Sequence, residues 1–331
     1  MELPPLLRHG IDEALDGLPL ADLARAAALL SERYRSETLD GRLHLSDDLA
    51  ARAYLATRLP ATYAAIRDAM AKLAALRPDF QPATLLDVGA GPGTALWAAA
   101  DCWPGLADAV LIEKSSAIRG WGEKLSGSAS LGRVRWHDGD LTTDLVSAPP
   151  LDLVCLAYVL SELPGERRAG LIDGLWSLTS DMLLIVEPGT PKGWERILAA
   201  RGRLIGHGAH IVAPCPHREA CPVAAPDWCH FSRRVARSRL HRLAKAADVP
   251  WEDEKYIYIA AARRAGLAAE ARILAPPRAG KGRIDLKLCC ADGGLRQRTI
   301  SKRDGALFKA ARRRDWGDVI EEAAGDRPSH G

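Results

Sequence analysis

The stretch that most limits what this chain can fold into is TLLDVGAGPGTALWAAA, residues 84–100. A short apolar strand is followed by Asp87, by Gly89, Gly91 and Gly93, and then by a run of helix formers. A glycine turn between a buried strand and a helix lets backbone approach a ligand closely, because no Cβ stands in the way. The rest of a nucleotide-binding half follows at the expected distances. AVLIE at 109–113 reads as a second strand ending in Glu113, placed where a carboxylate takes two ribose hydroxyls. VRWHDGDL reads as a third, whose Asp138 or Asp140 could meet an adenine amino group. LDLVCLAYVL (151–160) and MLLIVEPG (182–189) read as a fourth and a fifth, with helix-length segments between them. That alternation predicts an α/β fold with a parallel, doubly wound sheet.

The spacing D-x-G-x-G-x-G resembles motif I of class I S-adenosylmethionine-dependent methyltransferases. A dinucleotide fold favours G-x-G-x-x-G, and here the third glycine comes one residue too early. The Gly-Lys-Ser/Thr ending of a phosphate-binding loop is absent. The resemblance implies a Rossmann-like sheet and S-adenosylmethionine as cofactor, held by Asp87, Gly89, Gly91, Gly93 and Glu113, with Asp140 on the adenine side. Cys155 and Cys102 read as core.

A second feature is PCPHREACPVAAPDWCHF, residues 214–231. Pro214, Pro216, Pro222 and Pro226 forbid a continuous helix or a central strand, so Cys215, Cys221 and Cys229 project from irregular backbone. Their spacing, C-x5-C-x7-C, is not the paired C-x2-C of a zinc ribbon. Three thiols on a stiff loop, with a fourth from elsewhere, can hold an iron–sulfur cluster. Zinc is the competing ion, because His217 and His230 stand beside the cysteines.

Composition sets the outer bounds. An apolar share of 47% with 26% charged residues is globular. Seven unevenly spaced cysteines, with no signal-like apolar segment after Met1, argue against a secreted disulfide scaffold. No apolar run approaches the ~20 residues of a membrane span. The compartment expected is the cytoplasm for a bacterial protein and the mitochondrial matrix for an organellar one. With no clear targeting segment, the cytoplasm is favoured. Net charge is only +3, yet basic residues crowd into 233–245 and 296–314, which points to nucleic acid. Residues 1–80 read as helical, a lid or docking module without chemistry. Leu20, Leu23, Ala27 and Leu30 share one face, and Ser46 is a plausible N-cap.

After the fifth strand the text becomes distinctive: EPGTPKGWERILAARGRLI, then HGAHIVAPCPHREACP, DWCHFSRRVARSRLHRLAK and WEDEKYIYIAAAR. This succession resembles the methyltransferase-like family of small-ribosomal-subunit assembly factors, known from mitochondria and bacteria, over about residues 80–320. The resemblance implies a methyltransferase domain joined to a cysteine-bound 4Fe–4S cluster, in a protein that works on the maturing small subunit. Cys215, Cys221 and Cys229 match three cluster ligands. The fourth lies in IDLKLCCADG, where the family has a cysteine four residues ahead of a glycine; counting back from Gly293 selects Cys289. Cys290 is the alternative, and alternation along a strand puts the two on opposite faces. The organisation expected is a helical region at 1–80, a methyltransferase-like domain at 81–265 with a Cys-rich insertion at about 205–253, and a small β-rich basic unit at 266–331. EKYIYIAAA (254–262) reads as a sixth strand of the main sheet. A cluster joining the loop to the C-terminal strands would turn ligand-binding energy into folding energy.

The segment 233–245 reads as one basic helix. With the second basic set it implies contact with RNA phosphates, in small-subunit rRNA or its precursor particle. Neither DNA nor a membrane is expected as a partner. LAYVLSEL after the fourth strand lacks the Asn/Asp-Pro-Pro-aromatic motif of amine-methylating enzymes, and no residue reads as a catalytic base. Two readings stay open: an rRNA methyltransferase, stapled by zinc or a cluster, and a non-catalytic assembly platform with a retained cofactor site.

Overall fold

Four helices precede the first strand: α1 (Pro5–Leu15), α2 (Leu20–Arg35), α3 (Asp48–Thr57) and α4 (Leu59–Leu76). The computed structural model describes residues 1–127, 131–139, 149–267 and 269–321. Helix α2 buries Leu23, Ala27 and Leu30, one helical face, whereas Leu20 is exposed. Asp47 rather than Ser46 caps α3, its carboxylate accepting the Ala50 N–H at 2.8 Å. The helices are not a detached lid. Leu55, Leu59, Tyr63, Ile66 and Met70 lie in the same apolar core as the sheet strands.

The main sheet follows: β1 (Thr84–Val88), α5 (Thr94–Cys102), β2 (Asp108–Ile112), α6 (Ser116–Gly127), β3 (Arg133–His137), β4 (Leu151–Ala157), α7 (Gly165–Ser177), β5 (Thr179–Pro188), α8 (Pro191–Gly206), β6 (His210–Ala213), β7 (Phe231–Ala236), α9 (Arg239–Ala244) and β8 (Trp251–Ala262). Among the described residues the order is β3-β2-β1-β4-β5-β8-β6, with β7 also paired to β8. Strands β1 to β5 are parallel, and β8 runs antiparallel to β5, β6 and β7. Parallel strands covered by helices on both faces read as continuous apolar runs, and Leu153–Leu156 and Met182–Val186 are buried throughout. The order reverses between β1 and β4, so their carboxyl ends open the crevice in which such sheets bind ligands. This is the class I methyltransferase fold.

Two expectations need correction. EKYIYIAAA does lie in the main sheet, but as the antiparallel strand beside β5; the sixth strand in chain order is His210–Ala213. The basic stretch 233–245 is not one helix but the end of β7, a turn, and the six-residue α9. Acids decide the matter: Arg233 faces Glu254, and Arg234 faces Asp253, across the β7–β8 ladder. Opposite charges directly across strands stabilise the pair.

The C-terminal unit is β9 (Ala271–Ile273), β10 (Arg278–Gly280), β11 (Arg283–Cys290), β12 (Leu295–Ser301), α10 (Ala306–Ala311) and β13 (Val319–Ile320), a small antiparallel sheet. Ile284, Leu286, Leu288 and Cys290 alternate along β11 into a second apolar core. Cys289 therefore points to the opposite face. Among the described residues no helix is long and apolar enough to cross a membrane.

Candidate functional site

The glycine turn has the backbone its sequence predicts. Gly89, Gly91 and Gly93 all have positive φ, at 69°, 54° and 80°. A Cβ built on Gly91 would meet nothing within 4 Å, so this position needs glycine for its φ and leaves open space in front of the turn. Glu113 braces the turn from β2: its Oε2 accepts the Gly91 N–H at 2.9 Å and its Oε1 the Ser115 N–H at 2.7 Å. A carboxylate has about four acceptor sites, so acceptor capacity remains for a ribose hydroxyl. Asp87 stands on β1 just ahead of the turn. It is 1% exposed and its Oδ2 has no partner. Burial, and secondarily the charge of Glu113, pushes its carboxyl up to about 8. Asp140 falls outside the described residues, and Asp138 is exposed and paired with Arg119 at 3.2 Å.

Beyond the carboxyl end of β4 stands a polar wall that the sequence reading missed. Tyr158 is held at φ +62°, a left-handed conformation that costs an aromatic residue roughly 1–3 kcal/mol. Its phenol donates to Glu254 Oε1 at 3.1 Å, and Arg58 approaches the same oxygen at 3.5 Å. The Arg58 guanidinium lies over the Tyr34 ring. Burial, then the charges of Glu113 and Glu187, push the Glu162 carboxyl up to about 8. Cys155 is fully buried and burial pushes its thiol up, so it is core and not a nucleophile.

The second site gathers the cysteines. Cys215, Cys221, Cys229 and Cys289 line a single pocket, together with Trp194, Arg201, His217 and Tyr258. Cys290 belongs to the other core. Burial, followed by the neighbouring thiols, pushes the Cys229 thiol far up and that of Cys289 up to about 12. His217 Nε2 is 3.3 Å from the Cys289 Sγ. His230 is turned away, stacked on Trp228 with its Nδ1 at the Trp228 carbonyl. Among the described residues no three His, Cys, Asp or Glu side chains converge on a point that could hold one metal ion. The thiols surround a pocket instead.

Several elements fasten the loop. Arg201 on α8 donates from Nη2 to the carbonyls of His217 and Glu219, both at 2.8 Å. Arg272 on β9 donates from Nε to the Pro214 carbonyl at 2.8 Å and from Nη1 to that of Gly317 at 2.8 Å. Trp228 Nε1 donates to the carbonyl of Gly189, just past β5, at 3.0 Å.

A model of the family described as "Mitochondrial small ribosomal subunit Rsm22" matches residues 48–321. The chain belongs to the Rsm22 family. A similar human protein, named ribosome assembly protein METTL17, mitochondrial, is 30% identical over 287 residues, covering 81% of this chain and 61% of its own length. An Rsm22-cox11 tandem protein, mitochondrial, of Schizosaccharomyces pombe is 24% identical over 329 residues, 81% of this chain and 42% of its own length. The Rsm22-family chain thus spans about half the length of these curated relatives. Both names say mitochondrial, which lends no support to the cytoplasmic expectation. An O-methyltransferase family protein from Burkholderia thailandensis superposes with a TM-score of 0.46 at 14% identity, over 74% of this chain and 72% of that one. Magnesium protoporphyrin IX methyltransferase from Synechocystis, with bound S-adenosylmethionine, gives 0.41 at 16% identity, over 71% and 91%. Strand order, rather than these superpositions, carries the fold assignment.

On the Rsm22-family surface the two basic sets differ. Arg234 pairs with Asp253 at 2.9 Å, Arg237 and Lys245 with Glu252 at 3.1 and 3.5 Å, and Arg233 approaches Asp68 at 3.6 Å. Lys302, Arg303, Lys309, Arg312, Arg313 and Arg314 are exposed and make no ion pair among the described residues. Sequence reasoning also missed Arg201 and Arg272. Signals existed: Arg201 falls within the apolar stripe Ile197, Ala200 and Leu204, and Arg272 sits inside the buried strand Ala-Arg-Ile.

Proposed function

We propose that this Rsm22-family chain is a small-subunit assembly factor that holds S-adenosylmethionine at the glycine turn and a 4Fe–4S cluster on Cys215, Cys221, Cys229 and Cys289. The observation that carries the proposal is the meeting of those four thiols. They come from one proline-stiffened loop and from a strand of another sheet, and they line one pocket. Iron–sulfur clusters are held by four cysteine thiolates.

At the other site the chain's residues suit a nucleoside. Glu113 keeps acceptor capacity for ribose hydroxyls while fixing the turn through the Gly91 N–H. Protonated Asp87 stands just ahead of the turn without setting a second full charge beside Glu113. The bound cofactor would supply a methyl group on a sulfonium; the chain would orient it and exclude water. Among the described residues none near the cleft stands as an evident base. Tyr158 is engaged by Glu254, and LAYVLSEL offers no Pro-Pro-aromatic motif. This favours a binding platform, in which the donor site stabilises the fold, over a catalyst. The partner is rRNA of the precursor particle, met through the exposed cations of 302–314. In an organellar setting the work would be done in the mitochondrial matrix.

Co-sedimentation with precursor small subunits tests the reading. Gly91→Arg should abolish S-adenosylmethionine binding in calorimetry while particle binding persists, and Cys215→Ser should lose both cluster and particle. Loss of rRNA methylation in Gly91→Arg, with assembly failing for that reason, would establish the catalyst instead.

A further inference from the structure

Buried donors without partners crowd around the cysteine pocket: Trp194 Nε1, Arg201 Nε, Tyr258 OH and Arg272 Nη2. Trp194, Arg201 and Tyr258 line the pocket with the thiols, and Arg272 stands behind it, bonded to the carbonyl of Pro214. Both arginines are almost wholly buried, at 5% and 1% exposure, and neither forms an ion pair among the described residues. A buried donor left without a partner is costly, and a buried cation needs a counter-charge. The pocket therefore calls for an occupant that is anionic and rich in acceptor atoms.

A lone divalent ion with four thiolates supplies the charge, but all its acceptors sit around one point. A cluster with bridging sulfides also presents acceptors on the faces between its thiolates, where a wall of separate donors can meet them. We infer that Trp194, Arg201, Tyr258 and Arg272 form a donor shell that selects an anionic, sulfide-bearing cluster and sets its reduction potential high. The inference rests on the cluster proposed above. Reduction adds negative charge to such a group, and hydrogen bonds to its sulfurs and nearby cations stabilise that form.

Tyr258→Phe is the clean probe, taking away only the hydroxyl; Trp194→Phe removes the indole N–H together with the five-membered ring that carries it. Arg201→Lys keeps the charge but loses the fork that also holds the loop carbonyls of His217 and Glu219. The full chain is purified anaerobically, assayed for iron, acid-labile sulfide and zinc, and titrated electrochemically with EPR detection. Tyr258→Phe and Trp194→Phe should retain iron and sulfide and show midpoint potentials below the wild type, with the double variant lower still. Each tenfold loss of preference for the reduced form appears as about 59 mV for one electron. Arg201→Lys should also fall, and should admit more zinc when iron is scarce. Unchanged potentials in both aromatic variants, with clusters intact, would overturn the donor shell and leave the cluster standing. Wild-type protein with zinc and no sulfide would overturn the cluster itself, and the shell with it.

Discussion

Asp87→Asn separates a carboxyl that supports the turn from one that binds by charge. Burial, with Glu113 as the second cause, raises the Asp87 carboxyl from an ordinary 3.8 to about 8. Between those values the folded chain keeps a proton that the unfolded chain releases. Its stabilising contribution is thus fully present below about pH 4 and declines as pH rises toward 8. The gap of about four units, at ~1.36 kcal/mol each, sets a ceiling near 6 kcal/mol, and relaxation of a buried site lowers the expectation to roughly 2–4 kcal/mol. Against a total stability of about 5–15 kcal/mol that is large. Asparagine has the same shape and cannot ionise. Urea denaturation of both proteins at pH 4, 5, 6, 7 and 8 should give similar stabilities at pH 4 and a growing advantage for Asp87→Asn above it. Glu162, raised to about 8, and Glu187, raised to about 7, act in the same direction and leave the variant a residual slope. Parallel pH profiles for the two proteins would refute a buried, neutral Asp87.

Gly91→Ala should cost about 1–2 kcal/mol, because a side chain must adopt φ +54°, and should weaken S-adenosylmethionine in calorimetry less than Gly91→Arg does. Replacing Arg312, Arg313 and Arg314 together by alanine should weaken RNA binding at every sequence and lower the log–log salt slope by roughly 0.7–0.9 for each phosphate no longer neutralised. The same change at Arg234, Arg237 and Lys245 should move that slope less, since Asp253 and Glu252 already neutralise those residues. Filter binding across a salt series measures both.

Much of the fold is legible in the sequence because its signals are local. Four apolar parallel strands, a glycine turn that needs positive φ, and prolines that isolate three cysteines are each written within a few residues. The period-2 alternation of RIDLKLCC separates Cys289 from Cys290, and the structure turns Cys290 into the second core. The basic stretch misleads because arginines carry no period of their own. Residues 231–236 pair as a strand with β8, some 20 residues later, where acids stand opposite the arginines. The tyrosine–glutamate wall was hidden for the same reason: Tyr34, Arg58, Tyr158 and Glu254 come from distant segments that only the packed helices bring together. Arg201 and Arg272 look like ordinary surface charges until packing removes them from water.

The central claim, that four cysteines from one loop and one strand hold a cluster, is tested most directly by the metal content of single cysteine variants. The full chain is prepared anaerobically as wild type, as Cys215→Ser, Cys221→Ser, Cys229→Ser and Cys289→Ser, and as Cys290→Ser for comparison. Iron and acid-labile sulfide are then measured per chain, alongside zinc. The account predicts iron and sulfide in equal amounts in the wild type, their loss together in the first four variants, and their retention in Cys290→Ser. Stoichiometric zinc without sulfide, or a Cys289→Ser protein that keeps its iron while Cys290→Ser loses it, would contradict it.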